Sequence, residues 1–326
     1  AGSTARGISN HTSSIVSLTN TGEISASVNN QTAVSISNHS GTITTLINSG
    51  TIKATASDNA YAIQNYDGGE ITTLINTGTI SAVASNDTAY GIYVNDGPGL
   101  SSTISTLTNT GTISGSVTGS GLDAFDIKND GVITTFNNQQ TGLTYSGTLP
   151  VNYNIIINSP TSYGQMFVTS EAGSTNFGVS SASNKITIGK YTNVMTGVSD
   201  GNVGATRTGS LEGNGTSAVG TANWVLSETA SGSSAWDLNI TGDYVYFGSV
   251  ATLQSSVNNT ASAMRGAFNS ITSSMNFANM TTYDCNLFGN NGGCVSVGGR
   301  YTGTDNPDTT NTAVVAKAGY KFNEHF

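Results

Sequence analysis

The chain has 326 residues, a net charge of −9 and only 10 lysines and arginines, too few and too scattered for a nucleic-acid surface. Charged residues make up 9% of it, and Gly (40) far outnumbers Pro (4), where an average soluble domain is roughly 25% charged. Plentiful Thr, Ser, Val and Ile favour strands and polar turns, and apolar residues recurring at fixed places argue against disorder.

The first 150 residues repeat. "VSLTNTGEIS" (16–25), "TTLINSGTIK" (44–53), "TTLINTGTIS" (72–81) and "STLTNTGTIS" (105–114) align without gaps. Leu18, Leu46, Leu74 and Leu107 follow one another at 28, 28 and 33 residues. Asn20, Asn48, Asn76 and Asn109 keep step, as do Gly22, Gly50, Gly78 and Gly111, and Ile24, Ile52, Ile80 and Ile113. A second row holds Ile36, Ile63 and Ile92, trailed by Asn38, Asn65 and Asn95, and a degenerate fifth copy begins at 131–142.

Such copies are too short for propeller blades and carry too few leucines for leucine-rich repeats. They predict a solenoid, an all-β right-handed parallel β-helix. Each repeat supplies two or three short strands and stacks on the next at the strand spacing of about 4.8 Å. Leu then covers Leu and Ile covers Ile in a dry core. The asparagines are expected at the corners, donating to carbonyls of the next coil, with the corner glycines supplying positive φ.

From 151 to 247 the pattern loosens. "NYNIIIN" (152–158), "NKITIGKYTNV" (184–194), "ANWVLSE" (222–228) and "AWDLNIT" (235–241) remain strand-like. Larger side chains, including Trp224 and Trp236, suit irregular last coils and a cap over the solenoid's open edge.

The period changes over 248–280. Val250, Leu253, Val257, Ala261, Met264, Phe268, Ile271 and Met275 are spaced by three or four residues, an apolar stripe that predicts an α-helix. Over 281–326, "CVSVGGRY" (294–301) and "AVVAKAGYKF" (313–322) alternate and predict a short β-hairpin with one apolar face, the pattern of outer-membrane barrel strands. Cys285 and Cys294 are nine residues apart. They can close a loop in an oxidising compartment or stay free thiols in the cytosol. No apolar stretch reaches the 18 residues of a transmembrane helix.

In this order the segments resemble an autotransporter of type V secretion. The closest likeness is "TYDCNLFGNNGGCVSVGGRYTG" (282–303) with "AGYKFNEHF" (318–326), which looks like the opening of the barrel in one bacterial group. The resemblance implies a β-helical passenger, a linker helix and an outer-membrane barrel. It thus implies a secreted or cell-surface location, with the chain's own barrel as partner. Two strands cannot close a barrel, since the smallest have about eight, so the resemblance implies that the rest of the barrel is lost from these residues. Some members cut the passenger free between two linker asparagines, and Asn258–Asn259 stand at a similar place.

No catalytic, cofactor or metal site suggests itself. His11, His39 and His325 are far apart in sequence. Asp58, Asp87 and Asp96 stand on loops as calcium candidates but read better as solvated turns. Tyr61, Tyr66, Tyr90 and Tyr93 are candidates for an aromatic stripe contacting glycans or a partner, or for inward packing. The expected function is a structural or adhesive surface passenger, binding surfaces, glycans or other copies of itself. The alternative is a self-assembling extracellular fibre or sheath subunit of stacked β-helices. A polysaccharide-degrading enzyme would need paired carboxylates on adjacent coils, where these copies carry Thr, Ser and Asn.

Overall fold

The computed structural model describes residues 4–119, 123–183, 186–212, 218–219, 221–242, 245–246, 260–266, 268, 285, 287–305 and 308–322. The chain divides into two units, Ala1–Gly248 and Ser249–Phe326.

The first unit is a parallel β-helix. Its first floor is β1 (Ala5–His11), β2 (Ser14–Asn20) and β3 (Glu23–Val28), and its second is β4 (Ala33–His39), β5 (Thr42–Asn48) and β6 (Thr51–Ala56). The third is β7 (Ala60–Tyr66), β8 (Glu70–Asn76) and β9 (Thr79–Ala84), and the fourth is β10 (Ala89–Asn95), β11 (Thr103–Asn109) and β12 (Thr112–Val117). Two-strand floors follow: β13 (Ala124–Asn129) with β14 (Val132–Asn138), then β15 (Leu143–Thr148) with β16 (Asn152–Ile155). A small hairpin, β17 (Ile157–Ser159) and β18 (Ser162–Tyr163), precedes the last floor, β19 (Met166–Ala172) and β20 (Asn176–Val179). Three-strand floors thus run to Val117, and two-strand floors continue the same stack beyond it.

Strands stack floor on floor. The first sheet runs β1-β4-β7-β10-β13-β15-β19, the second β2-β5-β8-β11-β14-β16-β20, and the third only β3-β6-β9-β12. Leu18, Leu46, Leu74 and Leu107 lie in register, as do Ile24, Ile52, Ile80 and Ile113. All of these are 0% exposed except Leu18 and Ile24, which are partly buried on the first floor. The leucine file continues in register as Phe136, Tyr153 and Phe177, whose rings lie 5.7 and 6.1 Å apart. Larger side chains thus fill the interior where the third sheet no longer contributes a wall.

The corner glycines correct the expectation of positive φ, for none of Gly22, Gly50, Gly78 and Gly111 adopts it. They are glycine because the floors are close. A Cβ on Gly50 would collide with the carbonyl oxygen of Gly22, one on Gly78 with that of Gly50, and one on Gly111 with that of Gly78.

Antiparallel strands end the unit. β21 (Gly189–Thr196) pairs parallel with β19 and antiparallel with β25 (Ala235–Gly242), beyond which lie β24 (Thr221–Glu228) and β22 (Thr208–Glu212). β23 (Ala218–Val219) pairs with β26 (Val245–Tyr246). Trp236 is fully buried here and donates its indole N–H to Val198 O at 2.8 Å.

In the second unit, residues 260–266 and 268 are helical; the remaining stripe positions of 248–280 lie outside the described residues. β27 (Gly293–Asp305) and β28 (Asp308–Tyr320) form an antiparallel pair, with strands of 13 residues.

Candidate functional site

The asparagines form two internal ladders. In the first, Asn20 Nδ2 donates to Asn48 Oδ1, Asn48 to Asn76 and Asn76 to Asn109, each at 2.8 Å. The same Nδ2 groups also reach the next coil's carbonyls, Thr51 O (3.0 Å), Thr79 O (3.1 Å) and Thr112 O (3.2 Å). Sequence reasoning foresaw only the carbonyl contacts. The second ladder links Asn10 to Asn38 (2.8 Å) and Asn38 to Asn65 (2.7 Å). Its expected next member, Asn95, stands opposite Tyr66, and buried Val94 takes the place opposite Asn65. Asn95, the last residue of β10, is three residues past Ile92, whereas Asn38 and Asn65 are two past Ile36 and Ile63, so the register the isoleucines share puts Val94 in the ladder position. These amides face the interior and build the wall instead of offering a binding site.

The outer face of the second sheet is different. Ser17, Thr45, Thr73, Thr106 and Thr135 form a file in register. Beside it run Thr19, Ile47, Ile75, Thr108 and Asn137, and Ser14, Thr42, Glu70, Thr103 and Val132. Glu70 is the one charged member of the three files. The hydroxyls of Thr45, Thr73, Thr106 and Thr135 have no hydrogen-bond partner among the described residues, and their side chains are partly exposed. Threonine's branching restricts χ1, so the hydroxyls are held in place before anything binds. Successive floors repeat them at about 4.8 Å.

At the end of the first sheet His11, His39 and Tyr66 stack in register, with ring centroids 4.4 and 4.5 Å apart. His39 Nε2 lies 3.0 Å from Asp67 Oδ2. The 28-residue spacing of the two histidines equals the repeat, a signal that sequence reasoning overlooked. A His–Asp pair can activate a nucleophile, but nearby Ser40 Oγ donates to the Asp67 carbonyl and not to the imidazole.

The tyrosines do not form a free stripe. Tyr61, Tyr90 and Tyr93 pack with centroids 5.1–5.6 Å apart, and Phe125 stacks on Tyr90 at 5.9 Å. Tyr90 is buried; burial and then the nearby Asp123 carboxylate push its phenol up to about 12. Asp96 accepts from Ser102 N at 2.6 Å and closes its own loop. Among the described residues no group of three or more His, Cys, Asp or Glu can hold a metal.

In the second unit Cys285 and Cys294 are joined, with Cα atoms 5.8 Å apart. One face of the hairpin is apolar and exposed: Val295, Val297 and Tyr301 on β27, and Val314 and Tyr320 on β28, with Phe322 just beyond. Cys294 is buried on the other face. On the helical segment Met264 and Phe268 are each 69% exposed. Asn258 and Asn259, the expected cleavage pair, lie outside the described residues. Among the described residues no helix is long and apolar enough to cross a membrane.

In comparisons with known proteins, no family model, no curated protein and no solved structure matches this chain.

Proposed function

We propose that the chain is a non-enzymatic, structural and adhesive passenger of an autotransporter-like surface protein, with the hairpin as the start of its outer-membrane barrel. The reading rests on one observation: the nearly charge-free outer face of the second sheet, where the unpaired hydroxyls of Thr45, Thr73, Thr106 and Thr135 recur on four successive floors. A single neutral hydrogen bond to water-competed partners contributes about 0.5–1.5 kcal/mol. Many identical ones along a rigid rod act together, and avidity then exceeds any single contact. The neutral face suits neutral, hydroxyl-rich surfaces such as glycans. The hairpin supports the membrane half of the reading, because its exposed apolar face has the outward pattern of barrel strands, ending in aromatics.

Beads carrying the full chain, and beads carrying Thr45→Val, Thr73→Val and Thr106→Val together, are compared on neutral glycan-coated surfaces under flow. Valine keeps shape and β-propensity while deleting the hydroxyl. The proposal expects at least tenfold fewer retained variant beads with the melting temperature unchanged. Equal retention, or release of reducing sugar by the purified protein, would overturn it.

A further inference from the structure

The third sheet stops after β12, while the first and second continue. A stopped sheet presents unpaired N–H and C=O groups, a ready template for another chain. Thr112 N and Thr118 N donate back to the preceding floor, to Gly78 O (2.9 Å) and Ala84 O (3.1 Å). By alternation Ile113, Gly115 and Val117 turn their backbone groups to the open edge.

The N–H and C=O of Ile113 and the N–H of Gly115 are met by side chains. Gln140 Oε1 accepts from Ile113 N at 2.7 Å, and Gln140 Nε2 donates to Ile113 O at 2.9 Å. A carboxamide offers one acceptor and one donor, as a peptide group in the next strand would. Asp126 Oδ1 accepts from Gly115 N at 3.1 Å, and its Oδ2 accepts from Thr144 N at 2.8 Å. Gln140 is also held in place: its Oε1 accepts from Asn109 Nδ2 at 3.1 Å, and its backbone N–H donates to Asn138 Oδ1 at 3.0 Å. The last rungs of the asparagine ladder therefore aim it at the edge.

We propose that Gln140 and Asp126 together stand in for a fifth strand, closing the third sheet against an extended strand from a second copy of this chain. The two residues come from the segments before and after β14, so the plug forms only when the fifth floor has folded. This inference is independent of the adhesive reading, since the edge and the threonine files are on different sheets.

The test uses the full chain as wild type, Gln140→Ala, Gln140→Glu and Gln140→Ala with Asp126→Ala. Amide hydrogen exchange is followed at Ile113, Gly115 and, as a fold control, Ile52. Light scattering reports self-association, and a fluorescent peptide of residues 79–84, the sequence of β12's inner neighbour, serves as strand probe. The proposal expects Ile113 to exchange at least tenfold faster in Gln140→Ala with Ile52 unchanged. The double variant should self-associate or bind the peptide, and the wild type should do neither. Gln140→Glu keeps the acceptor and loses the donor, so its Ile113 amide should stay protected. That variant decides the matter if the alanine forms lose protection at Ile52 as well. Unchanged exchange at Ile113 and Gly115 in folded alanine variants, or an exposed Ile113 in a folded Gln140→Glu, would overturn the proposal. So would peptide binding by the wild type equal to that of the double variant.

Discussion

Replacing Asn48 by alanine tests the ladder at its centre. Asn48 is 0% exposed. It accepts from Asn20 Nδ2 at 2.8 Å and donates to Asn76 Oδ1 at 2.8 Å and Thr79 O at 3.1 Å. After truncation Asn20 Nδ2 still has Thr51 O at 3.0 Å, but Asn76 Oδ1 is left buried without its donor. An orphaned buried acceptor costs about 1–3 kcal/mol, and the remaining lost bonds add about 1 kcal/mol. The expected destabilisation is thus about 2–4 kcal/mol. Solenoids need not unfold in one step, so the assay is native-state hydrogen exchange over β5 and β8. The predicted loss corresponds to roughly 30- to 700-fold faster exchange there. Asn48→Asp should be worse than Asn48→Ala, because a buried carboxylate oxygen would then face Asn76 Oδ1 with no proton between them. A loss below about 0.5 kcal/mol for alanine, within the scatter of surface substitutions, or a milder effect for aspartate, would refute the reasoning.

Leu74→Ala should cost about 2–5 kcal/mol, and Leu18→Ala, at the partly exposed end of the same file, less than half of that; thermal melts compare them. Gly78→Ala should destabilise by about 1–3 kcal/mol, because its Cβ meets the Gly50 carbonyl, while Gly22→Ala, with nothing within 4 Å, should be tolerated in the same urea titration. Reducing Cys285–Cys294 should loosen the second unit alone, by about 2.6 kcal/mol for a loop of this length on the chain-entropy model, read as protease sensitivity confined to 285–322. At alkaline pH, Tyr61, Tyr90, Tyr93, Tyr145 and Tyr153 all have raised phenols, chiefly through burial. The unfolded chain therefore loses these protons first. Stability should be intact below pH of about 10 and fall as pH rises from there, through about 12 for Tyr90. Phenolate absorbance measured beside circular dichroism should show these tyrosines ionising only as the fold is lost.

The β-helix was legible because stacking asks for the same residue on each floor, so Leu46 and Leu74, or Asn48 and Asn76, are spelled alike. The glycines were legible as positions but not for their cause. Chain-local reasoning asks about φ, while the constraint at Gly50 is the carbonyl of another floor. Asn95 was misplaced because it is three residues past Ile92, where Asn38 and Asn65 are two past Ile36 and Ile63, and a shift of one residue turns a strand side chain to the other face. The stacking of His11 on His39 was readable from their spacing once the period was known. The end of the third sheet was not. It depends on Gln140 reaching Ile113 across 27 residues, and no periodicity announces a single side chain imitating a strand. The threonine files were visible as "TTL" in the repeats, but that their hydroxyls lack internal partners follows only from the packed geometry.

The claim beneath all of this is that consecutive repeats lie directly over one another in fixed register. Paired cysteines on the outer face of the second sheet test it most directly. Thr45 and Thr73 are register partners, as are Thr73 and Thr106, at a separation of about 4.8 Å that falls within the range a disulfide spans. Thr45 and Thr106 are two floors apart, at about 9.6 Å, beyond it. Mild oxidation should cross-link Thr45→Cys with Thr73→Cys and Thr73→Cys with Thr106→Cys, while Thr45→Cys with Thr106→Cys stays open. Equal cross-linking of all three pairs, or none of the first two, would contradict the stacked register.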